Sequence, residues 1–126
     1  MHICKDMKMR KLNVADMDKV AGEASELLMA MANAKRLMIM CHLLEGESTV
    51  NALAERVGMS QTAVSQQLAK LRALRLVSTR REAQQIFYSL ASENVERVLE
   101  TLYGIYCDPA LQAEGDKPRL AATAAT

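Results

Sequence analysis

Aromatic residues are scarce in this chain. They make up 3% of its 126 residues, and tryptophan is absent. A core built on stacked rings is excluded, so the nine methionines and the many leucines must fill the interior. No apolar run approaches the ~18 residues that span a membrane. The N-terminus, MHICKDMKMRKLN, has charges but lacks the apolar stretch of a secretory signal. Three cysteines, an odd number without any C-x-x-C, exclude a disulfide framework and fit a reducing cytoplasm. Only two histidines, His2 and His42, are available, which argues against a tetrahedral Cys/His zinc site. There is no glycine-rich phosphate loop, no Cys-His-Asp set at plausible spacing and no evident pair of carboxylates in a cleft, so an enzyme is not expected and no cofactor is implied. His42 follows Cys41 directly and points about 100° away from it on a helix, so it is no obvious base. The formal net charge is +1, so any strongly charged surface must be local.

What is present is concentrated in residues 48 to 90, STVNALAERVGMSQTAVSQQLAKLRALRLVSTRREAQQIFYSL. Val50, Leu53, Ala54 and Val57 fall at i, i+3, i+4, i+7, one apolar stripe of a helix. Gly58 supplies a left-handed stop, and Ser60 caps the next helix. In that second helix Val64, Leu68 and Leu71 point inward, while Gln61, Thr62, Ser65, Gln66 and Ala69 share the outer face. A solvated face normally carries Glu and Lys. This one carries amides and hydroxyls, which donate and accept toward base edges. From Ser60 to Arg81 there are five cations, Lys70, Arg72, Arg75, Arg80 and Arg81, and no carboxylate. Such a run neutralises phosphates. An ordinary polar helix is the bland alternative; the turn, the local charge and the hairpin that follows favour double-stranded DNA.

That hairpin is predicted from Leu76 to Arg81 and from Gln85 to Leu90, where Ile86, Tyr88 and Leu90 alternate with Phe87 and Ser89. The turn lies near Glu82, Ala83 and Gln84. Arg80 and Arg81 would sit on this wing, within reach of a phosphate or the minor groove, although a plain solvated hairpin would also carry two arginines.

The remaining segments complete a mainly α chain of five helices and a two-stranded wing. Residues 1–15 read as a flexible N-terminal arm, 16–107 as one DNA-binding and dimerisation domain, and 108–126 as a disordered tail rich in Ala, Thr and charge. Asp16 to Met31 is a helix with Met17, Val20, Ala21, Ala24, Leu27, Leu28 and Met31 on one face. Ala34 to Leu44 is a second, with Asn33 as a candidate cap. Glu93 to Tyr106 is the last, capped by Ser92 and stopped at Asp108-Pro109, with a stripe of Val95, Val98, Leu99, Leu102, Tyr103 and Tyr106. So small a domain cannot cover both terminal stripes within one chain. A homodimer through the first and last helices covers them, and it sets two recognition helices roughly 34 Å apart for a palindromic operator. A monomer whose terminal helices pack on each other is the alternative.

In this order the segments AMANAKRLMIMCHLL, LAERVGMSQTAVSQQLAKLRALRLV and RREAQQIFYSL resemble the ArsR family of bacterial repressors, over about residues 20 to 107. The resemblance implies a homodimer that represses an operon and leaves DNA when an inducer binds. Two of the family's metal sites have no counterpart here: the segment Glu47-Ser48-Thr49-Val50-Asn51 lacks the C-x-C pair of arsenic and cadmium sensors, and the last helix lacks the histidines of zinc sensors. At the wing tip, where the family often has glycine, this chain has Ala83.

Two cysteines remain on helices. Cys41 shares a stripe with Leu37, Met40 and Leu44 and is expected in the core; Cys107 ends the stripe of the last helix. Periodicity alone leaves open whether these are inert buried thiols or a sensor. The segments MCHLL and YGIYCDP resemble the sulfide-responsive, biofilm growth-associated repressors. That resemblance implies that Cys41 and Cys107 become linked by reactive sulfur species acting as inducer, with loss of operator binding. Cys4, in the arm, is expected to be dispensable. The competing expectation is a metal-responsive repressor using Cys4, Cys41 and Cys107 as thiolate ligands.

Overall fold

The computed structural model describes residues 12–112. The predicted arm and tail fall largely outside these residues. The chain divides into two compact units, one ending at Asn33 and the other beginning at Ala34.

The first unit is helix α1, Val14–Met31. It starts two residues before the predicted Asp16, inside the predicted arm, because the Asn13 carboxamide accepts from the backbone N–H groups of Ala15 and Asp16. Met31 is buried, whereas Met17, Val20 and Leu28 of the predicted stripe stay exposed at 44%, 43% and 57%.

The second unit runs α2 (Ala34–Glu45), α3 (Val50–Val57), α4 (Gln61–Ala73), β1 (Val77–Glu82), β2 (Gln85–Leu90), α5 (Glu93–Tyr106) and α6 (Pro109–Gln112). Helices α3 and α4 form a helix-turn-helix and β1–β2 the wing. The turn is built as predicted: Gly58 is left-handed (φ 70°), and the Ser60 hydroxyl accepts from the Ala63 amide. The structure adds Thr49 as the cap of α3. Val64, Leu68 and Leu71 of α4 are buried with Leu53, Ala54 and Val57 of α3 and Val95 and Leu99 of α5. In α2 the buried residues are Ile39, Met40 and Leu43. The predicted stripe is kept only in part: Met40 is buried, but Cys41 is half-buried and Leu44 exposed, and Ile39 and Leu43 take their place in the core.

Two local departures have clear causes. Strand β1 begins at Val77 rather than Leu76, because the Leu76 amide is spent on the Leu71 carbonyl (2.9 Å) at the end of α4. Together with the Arg75 amide on the Arg72 carbonyl and Arg75 at φ 64°, this is a Schellman stop with arginine in the position that glycine usually takes. The stretch predicted as tail from residue 108 begins with helix α6; the Asp108 carboxylate accepts from the Ala110 amide, and Pro109 fits a first helical position.

The wing pairs Val77 with Leu90 through Glu82 with Gln85, antiparallel, leaving Ala83 and Gln84 as a two-residue turn. Ala83 takes the positive φ (57°) that glycine supplies more cheaply. A third short segment joins the hairpin: Ser48 and Tyr88 exchange both backbone hydrogen bonds, at 3.0 and 2.8 Å.

Candidate nucleic-acid interface and thiol pair

Helix α4 presents its polar face to solvent because its apolar residues recur at Val64, Leu68 and Leu71 and are buried. Gln61, Thr62, Ser65 and Gln66 are exposed and, with Ala69, line a shallow groove. The groove's other wall is Val50 and Asn51 of α3. Asn51, an exposed amide, was not singled out from the sequence; its signal was its place in the first turn of the helix before α4. Lys70 and Arg72 are exposed on the last turns of α4, and Arg81 is exposed on β1. Gln67, between the groove face and the core, accepts from the Arg36 guanidinium of α2 at 2.9 Å. Lys35, one residue earlier, donates to the Val57 carbonyl at 2.8 Å, satisfying the C-terminal end of α3. Helix α2 therefore holds both helices of the helix-turn-helix through two adjacent side chains.

Arg80 is placed differently from the free wing cation that the sequence suggests. Its guanidinium is forked onto Glu47, with Nε 2.9 Å from Oε2 and Nη2 2.6 Å from Oε1, and Nη1 lies 3.0 Å from Glu82. The guanidinium carbon stands 4.7 Å from the centre of the Phe87 ring, the residue opposite it in the ladder. Arg80 holds the Glu47 carboxyl below the usual carboxylate range. The stretch from Ser60 to Arg81 has no carboxylate of its own, but its two flanks supply Glu47 and Glu82.

Cys41 is half-buried on α2, and Cys107 is exposed at the end of α5, where its amide donates to the Tyr103 carbonyl at 2.8 Å. Burial pushes the Cys41 thiol above its ordinary value of 9.0, with the Glu45 carboxylate and the Cys107 thiol adding to the same effect. Cys107 thus lies within electrostatic reach of Cys41, although 66 positions separate them in sequence. The nucleophile in sulfur exchange is the thiolate. Cys41 keeps its proton at neutral pH, and Cys107 is the sulfur that solvent-borne reagents reach. Among the described residues no three His, Cys, Asp or Glu side chains converge as ligands for a metal ion. Cys4 lies outside the described residues. Among those described, no single helix is long and apolar enough to cross a membrane.

Known proteins bear on this arrangement. Residues 33–79, from the start of α2 into β1, match the bacterial regulatory protein, arsR family. The chain is similar to the transcriptional activator HlyU of Vibrio cholerae, 46% identical over 101 residues, which covers 80% of this chain and 94% of that one. The crystal structure of the transcriptional repressor BigR from Xylella fastidiosa superposes with a TM-score of 0.73 at 40% identity, covering 76% of this chain and 98% of that one. A homodimeric winged helix-turn-helix DNA-binding domain from Mycobacterium bovis gives a TM-score of 0.61 at 31% identity, covering 75% and 86%. These relatives are regulators, not enzymes, and the helix-turn-helix and wing described above are the parts they share. The chain belongs to the ArsR family of bacterial regulatory proteins.

Proposed function

We propose that this protein is a homodimeric transcriptional repressor that binds a palindromic operator in its reduced state and releases it when reactive sulfur species link Cys41 to Cys107. The observation that carries the reading is the pair of free thiols, Cys41 half-buried on α2 and Cys107 exposed at the end of α5, near enough that the Cys107 thiol adds to the upward shift of Cys41. Gln61, Thr62, Ser65 and Gln66 face the bases, and Lys70, Arg72 and Arg81 serve phosphates or the minor groove. The repressor sign follows the similarity to BigR and the resemblance of MCHLL and YGIYCDP to biofilm growth-associated repressors. A second copy of the chain covers the apolar side chains that α1 and α5 leave exposed, among them Met17, Val20, Leu28, Tyr103 and Tyr106. The homodimeric state of the Mycobacterium bovis relative supports that assembly.

The chemistry runs in two balanced steps. The Cys107 thiolate takes the outer sulfur of a low-molecular-weight persulfide and releases the parent thiolate. Cys41, once deprotonated, attacks the inner sulfur of the Cys107 persulfide, forming the Cys41–Cys107 bond and expelling hydrosulfide. The persulfide is the oxidant. The link ties α2 to α5, and a coupling of about 1–3 kcal/mol to operator affinity is enough for a switch.

The test combines operator titration and intact-mass measurement on the same samples, before and after glutathione persulfide. Wild type should lose affinity by about fivefold or more while forming one intramolecular link. Cys41→Ser and Cys107→Ser should bind operator as reduced wild type does and stay bound. Release of either variant by persulfide sinks the dithiol reading. Release by metal ions with no response to persulfide replaces it with metal sensing.

A further inference from the structure

The Arg80 cluster is not needed for the thiol chemistry, and it is more elaborate than a wing arginine facing DNA requires. We propose that Arg80 is a positioning residue: through Glu47 it fixes the pose of the wing against the segment that starts the helix-turn-helix, leaving Arg81 as the wing cation that meets DNA. The inference rests on the DNA-binding reading above and assigns different work to two neighbouring arginines.

Alternation along β1 sends Arg80 and Arg81 to opposite faces of the hairpin. On one face, every nitrogen of the Arg80 guanidinium is engaged: Nε and Nη2 by Glu47 and Nη1 by Glu82. The guanidinium carbon lies over the Phe87 ring. A phosphate approaching Arg80 would have to displace a forked carboxylate and would meet a cluster with one cation and two anions. On the other face Arg81 is exposed and has no carboxylate partner among the described residues. Charge neutralisation of DNA therefore belongs to Arg81.

What Glu47 holds explains why the clamp matters. Ser48, the next residue, exchanges both backbone hydrogen bonds with Tyr88 of β2. Thr49 caps α3 through its hydroxyl, 3.2 Å from the Ala52 amide. Glu47, Ser48 and Thr49 therefore bind the wing on one side and the first helix of the helix-turn-helix on the other. The direction of the wing relative to the groove on α4 depends on this three-residue junction. Arg80 adds a forked side-chain tie to the single backbone bridge. Lysine could keep the charge but not the fork.

The test uses full-length protein with Glu47→Gln and Arg80→Lys. Affinity and its salt dependence are measured on a duplex selected from a random library by the wild type, and amide exchange is measured without DNA. Glu47→Gln removes a negative charge from a DNA-binding surface, so simple electrostatics calls for tighter binding and a steeper salt slope. The proposal calls for the opposite sign: about twofold to fivefold weaker binding by each variant, with faster exchange of the Tyr88 and Ser48 amides. Tighter binding by Glu47→Gln, with a slope steeper by about 0.9, makes Arg80 a phosphate contact and overturns the proposal. Wild-type affinity in both variants, or unchanged exchange at Tyr88 and Ser48, overturns it as well. If the wild-type protein selects and binds no duplex, the DNA-binding reading fails, while amide exchange still judges the clamp.

Discussion

Arg75 occupies a backbone position at which its own side chain is a liability. At φ 64° it closes the Schellman stop between the recognition helix and the wing. An L-residue in the left-handed region costs roughly 1–2 kcal/mol from the approach of Cβ to the backbone. Glycine removes that cost but adds about 0.5–1 kcal/mol of unfolded-state entropy. The difference leaves Arg75→Gly more stable than wild type by about 0.5–1 kcal/mol. For a folded region near 100 residues this raises the melting temperature by roughly 2–6 °C. The assay is thermal unfolding followed by circular dichroism at one fixed protein concentration, because stability in a dimer depends on concentration. Arg75→Ala is the control. It loses the same cation but keeps Cβ, so it should gain nothing. Both variants lose equal charge beside Lys70 and Arg72, so any change in the salt slope of DNA binding should be common to the two. A melting temperature for Arg75→Gly no higher than that of Arg75→Ala would refute the strain argument. The exchange also suggests why glycine is not used here: a cation at the C-terminal end of α4 complements the helix dipole and adds to the local positive field.

Three further variants probe the DNA-facing surface and the dimer contact. Gln66→Ala should lower operator affinity by about 1–3 kcal/mol if the amide makes a bidentate base contact, and it should relax sequence preference; Arg81→Ala should weaken binding to all sequences and flatten the salt slope by about 0.9, and wild-type titrations for both would show that the surface is misassigned. Leu28→Asp, at a side chain 57% exposed in the single chain, should leave the helix content intact yet dissociate the dimer in sedimentation velocity at micromolar concentration, whereas an unchanged sedimentation coefficient would remove α1 from the interface.

How much of this was legible in the sequence depended on the range of the interaction. Gly58, Ser60, Ser92 and the buried residues of α3 and α4 act within one or two turns, and each was read correctly from spacing. The phase of α2 was not. Its run MIMCHLL is apolar nearly all round, so periodicity alone could not choose between the stripe through Cys41 and Leu44 and the one through Ile39 and Leu43 that is actually buried. Arg75 was invisible as a helix stop because the usual signal is glycine, and tertiary packing of Leu76 overrode it. The Arg80 cluster was hidden for another reason. Glu47 lies 33 positions before Arg80, and a count of charges along the chain cannot see a carboxylate that arrives from an earlier loop. The exposed apolar side of α1 was read as a stripe, but a stripe does not name what covers it.

The position of α2 gives the proposed switch a physical route. The helix carries Cys41 at its middle, Lys35 and Arg36 near its start, and the Glu47–Thr49 junction just past its end. Lys35 holds the Val57 carbonyl at the end of α3, and Arg36 holds Gln67 of α4. The junction holds the wing. A covalent link at Cys41 pulls on a rod whose two ends are fastened to the three elements that face DNA. Such contacts are short and directional, and a shift of a few tenths of an ångström in α2 must be absorbed by hydrogen bonds of 2.8–2.9 Å at Lys35 and Arg36. A coupling of ~1–3 kcal/mol is of the size set by one or two such bonds made or broken to charged groups. The proposed sulfur link therefore would not have to unfold the DNA-binding surface in order to release DNA; it would have only to make one arrangement of α2 incompatible with both tethers at once.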